Sequence, residues 1–218
     1  MATLNAGSGR CQPTHQLSIR PVQAVLELGA VADVLHTALN AAHHANRHGD
    51  PGDRIAVALP GLHIRRRAAL PGHEIVLFGS EAALDAFLKL DGIRTLVRRT
   101  MVKELQIVEV PSVPGEPGTA YVRDRAAARR SSGAIRRAQE RATRRGIAIR
   151  DKLTVRSPSP AILALHFGSA VVHVREIEAQ IRGEPVHVNT YGFSSPEAPA
   201  VLPIQPNRSI RWHDDDAA

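Results

Sequence analysis

The sequence predicts an α+β protein. Short apolar runs of strand character alternate with two long segments of helical spacing, and 43% apolar residues in a 218-residue chain suffice for a substantial core. A Pro- and Gly-rich stretch, PSVPGEPG at 111–118, then separates this first part from a second, in which the excess basic charge is concentrated.

Residues 1–14 are polar and Gly-rich and are expected to be disordered. GSGR at 7–10 lacks the GxxxxGK pattern and a preceding strand, so it is no phosphate loop. Residues 16–22 (QLSIRPV) alternate and predict the first strand. Val25, Leu28, Val31, Leu35 and Leu39 recur at helical spacing, which predicts one helix over 25–47 ending at HGDPGD. RIAVAL at 54–59 is the second strand, and EIVLF at 74–78 the third. Ser80 caps a helix whose apolar face is Leu84, Phe87, Leu88, Ile93 and Leu96. LQIVEV at 105–110 closes the series. The order β-α-β-β-α-β predicts a ferredoxin-like domain over 15–112.

A linker over 113–120 then leads to a smaller β-rich domain over 121–206. It begins with a short strand at 121–125 and an Arg-rich helix over 134–145 capped by Ser131 or Ser132. A hairpin follows, 162–167 and 171–177 around Gly168-Ser169-Ala170, then a strand at 186–191. The tail, 207–218, is expected to be disordered.

The net charge of +7 is local. Residues 123–150 hold ten arginines, Arg123, Arg125, Arg129, Arg130, Arg136, Arg137, Arg141, Arg144, Arg145 and Arg150, against Asp124 and Glu140. The rest of the chain is nearly neutral. A segregated Arg block is the footprint of a phosphate-binding surface, because guanidinium forks fit phosphate oxygens and guanine edges. Arg137, Arg141 and Arg144 share one helix face, and Ala134, Ala138 and Ala142 leave a smooth face for shallow packing. No apolar run approaches the ~20 residues of a membrane span, and no signal peptide is visible, so a cytoplasmic protein without membrane partners is expected. The lone Cys11 excludes an intramolecular disulfide and a Cys-based zinc site.

Four stretches carry a resemblance: VLHTALNAAHH with GDRIAVALPGL (34–62), the IRRAQERATRRG helix (135–146), GSA (168–170) and NTYGFS (189–194). In this order they resemble the CRISPR repeat-processing endoribonucleases of the type I-F family, with the type IV relatives close behind. The resemblance implies a metal-independent nuclease that cuts precursor CRISPR RNA at the 3′ foot of the repeat hairpin. It would leave a 5′-hydroxyl and a 2′,3′-cyclic phosphate, then retain the guide within an effector complex. His36 matches the family's catalytic His, and Tyr191 its Tyr beside that His. The family's active-site Ser falls at Ser169 by hairpin position, or at Ser157 or Ser159 by local likeness in TVRSPS. Arg123 and Arg125 match two side chains that read bases at the stem foot, Arg125 replacing a Gln. Val174 stands near where the family places a stacking aromatic, and with only 3% aromatics in the chain weak stacking recognition is expected. A noncatalytic RNA-binding subunit is the rival reading, and a general RNA-binding protein a third. His43, His44 and His48 are candidate metal ligands, and His44 and His48, one helical turn apart, could share a zinc ion, but no HExxH, Cys pair or convergent carboxylate accompanies them. They read as solvated helix-end residues, and no metal or cofactor is expected.

Overall fold

The computed structural model describes residues 7–65, 68–111, 113–124, 132–145, 162–167 and 170–204. Its elements in chain order are β1 (Ser8–Cys11), β2 (His15–Ile19), α1 (Gln23–Glu27), α2 (Val31–His48), β3 (Ala56–Ala58), β4 (His63–Arg65) and β5 (Ala68–Leu70). There follow β6 (Ile75–Gly79), α3 (Glu81–Leu88), α4 (Asp91–Arg98), β7 (Ile107–Glu109), β8 (Pro117–Arg123) and α5 (Ser132–Arg144). The series ends with β9 (Leu163–Phe167), β10 (Ala170–Gln180), β11 (Val186–Asn189) and β12 (Val201–Leu202). The result is a mixed α+β protein of several antiparallel sheets. Among the described residues no helix is long and apolar enough to cross a membrane.

One four-stranded sheet has the order β3-β6-β2-β7, and a second β12-β8-β10-β9. Helices α2, α3 and α4 pack together, α3 resting on β2 and β6. The strand β6 is buried at all five positions, as its unbroken apolar run requires. Helix α2 turns Val34, Leu35, Ala38, Leu39, Ala41 and Ala42 inward. Both predicted helices are in fact broken. The first divides at Gly29, whose φ of +68° is in the left-handed region that ends a helix. The second divides at Leu90, which is extended and serves as N-cap of α4. Ser80 caps α3 as expected, its Oγ accepting from the Ala83 N–H at 3.1 Å and donating to Asp53 at 2.8 Å.

Three readings of the chain's organisation need correction. The N-terminal 1–14 is not wholly unstructured: β1 pairs with β11 in the register Ser8↔Asn189 to Cys11↔Val186. Cys11 is fully buried, donates to the Phe78 carbonyl, and burial pushes its thiol up to about 12. The strand is held by Arg54, a buried guanidinium that donates to the carbonyls of Gly7 and Val188. The linker assigned to 113–120 is also shorter, because 117–120 already belong to β8. Nor are the two parts separate in their packing. Tyr121, Leu163, Leu165, Val172, Val174 and Phe193 share one hydrophobic cluster with the core of α2, β2, β3 and β6. Val174 is fully buried in that cluster, so it presents no stacking surface. The hairpin β4–β5, in HIRRRAAL, has no counterpart in the sequence reading, because its alternation is too short and too basic to register. The tail from 207 lies outside the described residues.

Candidate active site

Three side chains from three distant segments meet around one phenol ring. Tyr191 lies in the turn after β11, His43 in the C-terminal half of α2, and Arg123 at the end of β8. The His43 and Tyr191 rings are stacked, with centroids 4.3 Å apart and planes 6° from parallel. The Arg123 guanidinium carbon lies over the same Tyr191 ring, 5.2 Å from its centroid. His43 Nδ1 is 2.9 Å from the Thr190 carbonyl. A carbonyl only accepts, so Nδ1 carries a proton, and the lone pair of the corresponding neutral tautomer is on Nε2.

Each segment is fixed by hydrogen bonds that meet at β3 or at the turn itself. The side chain of Asn46, buried on α2, donates to the Ile55 carbonyl and accepts from the Ile55 N–H, both at 2.8 Å. This pair of hydrogen bonds ties α2, three residues past His43, to the residue that leads into β3. The turn is tied to the same strand, since the Val57 N–H donates to the Gly192 carbonyl at 2.9 Å. Inside the turn, Asn189 Oδ1 accepts from the Tyr191 N–H at 2.8 Å. Gly192 has φ +82°, and a Cβ there would stand 2.5 Å from Val57 Cγ2, so only glycine fits without strain. The end of β8 is tied to the turn by the Arg123 N–H donating to the Ser194 carbonyl at 2.9 Å. Phe193, fully buried, anchors the turn in the core.

A second titratable group lies close to Arg123. His173 on β10 is buried beside Asp124, its backbone carbonyl accepting from the Asp124 N–H at 2.8 Å. Burial lowers its pKa, Asp124 opposes that, and Arg123 and His166 add to it.

The imidazole that stands beside Tyr191 is therefore not His36 but His43, which is half-buried against the ring and not the solvated helix-end residue its position suggests. His36 is exposed on α2, seven residues and about 10 Å of helix axis before His43. The two histidines share a helix face, so periodicity alone does not separate them. His44 and His48 are exposed on α2, their rings tilted with centroids 4.6 Å apart. Among the described residues no group of three or more His, Cys, Asp or Glu side chains is placed to hold a metal ion.

On α5, Ile135 is buried, while Arg136, Arg141 and Arg144 are exposed, as is Arg145 just past its end. Arg136 faces Glu140 at 3.7 Å, an exposed i,i+4 pair that contributes little. The Arg137 side chain lies outside those described. Arg125, Arg129 and Arg130 lie outside the described residues, as do the three serines Ser157, Ser159 and Ser169.

The arrangement offers a proton-transfer group with a defined tautomer, an aromatic platform and a cation. No protein-family model matches the chain, and no curated protein matches it.

Proposed function

We propose that the protein is an endoribonuclease that cuts precursor CRISPR RNA at the 3′ foot of the repeat hairpin and then holds the mature guide within an effector complex. The observation that carries this reading is the His43–Tyr191 stack with Arg123 over the same ring, at the near end of an Arg block. RNA brings its own nucleophile, the 2′-hydroxyl. A residue need only take that proton, align the oxygen with the phosphorus, and return a proton to the departing 5′-oxygen. His43 Nε2 is the group for the proton work. Tyr191 orients the imidazole by stacking. The exposed arginines of α5 take the phosphates of the stem, because an A-form major groove is read through its shape and backbone. The order β3-β6-β2-β7, with helices between β2 and β3 and between β6 and β7, supports a ferredoxin-like arrangement for the N-terminal part.

The test is incubation of purified protein with the repeat RNA encoded beside its gene, in EDTA. A single cut at the hairpin foot, with a cyclic phosphate on the 5′ fragment, is expected. Tight binding without a cut would make the protein a guide-holding subunit instead.

A further inference from the structure

Arg123 is in an unusual state for a surface-block arginine. Its Nε is buried and makes no hydrogen bond among the described residues. No described carboxylate lies within ion-pair distance of it. A donor shut off from water without an acceptor costs free energy, so the fold keeps this guanidinium over the Tyr191 ring at a cost. Its main chain is not adjustable, being bonded to Ser194 at the turn that carries Tyr191. The guanidinium lies over the Tyr191 ring, which also meets the His43 imidazole.

Transfer of a phosphoryl centre from 3′,5′ linkage to a 2′,3′ ring builds negative charge on the two non-bridging oxygens. A fixed cation at that point acts more strongly in the transition state than in the ground state. A planar guanidinium matches two phosphate oxygens in a bidentate manner.

We propose that Arg123 grips the scissile phosphate itself, and that it serves the chemical step instead of reading a base at the stem foot. The proposal rests on the endoribonuclease reading. In the step, the 2′-oxygen gives its proton to His43 Nε2 and bonds to phosphorus, and the bond from phosphorus to the 5′-oxygen breaks. That 5′-oxygen leaves with a proton, so the net transfer runs from 2′-oxygen to 5′-oxygen. Arg123 neither gives nor takes a proton. It neutralises charge on the non-bridging oxygens throughout.

The experiment measures single-turnover cleavage at saturating protein, and affinity separately, with the repeat RNA. Arg123→Gln should slow the saturated rate by about 10²–10³-fold, the scale of losing one preorganised transition-state contact. Affinity should change by less than about 10-fold, one phosphate contact among many. Arg123→Lys should recover part of the rate, since a point charge replaces only part of a bidentate fork. A phosphorothioate at the cut should slow the wild type and make much less difference to Arg123→Gln. Inverting the last base pair of the stem should leave the Arg123→Gln penalty unchanged. Lost affinity with an unchanged saturated rate would overturn the proposal, as would a penalty that vanishes when the stem-foot pair is inverted. Wild-type protein that binds the repeat but never cuts it would overturn the nuclease reading and this role with it. A wild type that cuts, beside an Arg123→Gln that cuts equally fast, would sink the Arg123 role alone.

Discussion

Replacing His43 by Ala should abolish cleavage while His36→Ala should not. The contrast follows from position. His43 stacks on Tyr191 and is oriented by the Thr190 carbonyl, whereas His36 is exposed about 10 Å earlier on α2. A positioned proton-transfer group contributes roughly 10²–10⁴ in rate, or about 3–5.5 kcal/mol of barrier. The same substitution also removes a ring stack worth about 0.5–1.5 kcal/mol and a hydrogen bond of similar worth. His43→Ala should therefore cost about 1–3 kcal/mol of stability, a fall in Tm of roughly 2–12 °C. His36→Ala should stay within about 0.5 kcal/mol, as surface changes do. Hairpin affinity should hold for both, because the Arg block is untouched. The assay is single-turnover cleavage of the repeat RNA, run below the lower Tm and paired with a filter-binding curve. The reasoning is refuted if folded His43→Ala cuts at the wild-type rate, or if His36→Ala is the inactive variant.

Gly192→Ala should lose about 2–4 kcal/mol, from the left-handed backbone and a Cβ set 2.5 Å from Val57 Cγ2, and thermal melts within a degree of wild type would refute the clash. Burial favours the neutral form of His173, so the unfolded chain binds the extra proton first. Stability should thus be complete above the ordinary histidine range near 6.5 and decline as pH falls below it; urea midpoints against pH read this, and His173→Gln should flatten that limb. Replacing Arg136, Arg141 and Arg144 together by Ala should lower the slope of log K against log salt by about 2–3, at ~0.9 per phosphate, with the Tm nearly unmoved. An unchanged slope with a collapsed Tm would mean these arginines hold the fold.

The regular elements were legible where one physical signal dominated. The alternation of β2, the apolar runs of β3 and β6 and the inward stripe of α2 are set by burial, and a sequence displays burial directly. The breaks were harder to see. Gly29 and Leu90 interrupt helices whose apolar spacing continues across the break, so periodicity reads through them. Strand β1 was invisible because SGRC has no apolar alternation; its partners, β11 and the Arg54 guanidinium, come from distant parts of the chain.

The site divides along the same line. The Arg block and the NTYGF turn are local patterns, and both could be found by reading. Which histidine meets Tyr191 is a long-range fact, since 147 residues separate His43 from Thr190. One local signal did bear on it. Asn46 sits on the inward stripe with Leu35, Ala38, Leu39 and Ala42, and a buried amide there must be satisfied by a fixed partner. That amide marks where α2 is bolted to β3, and β3 is the strand that holds the Tyr191 turn through Val57 and Gly192. A histidine one turn from the bolt is held in place more firmly than one nearly three turns away. His43, not His36, meets that condition, so the buried Asn carried the positional information that the spacing of histidines lacked.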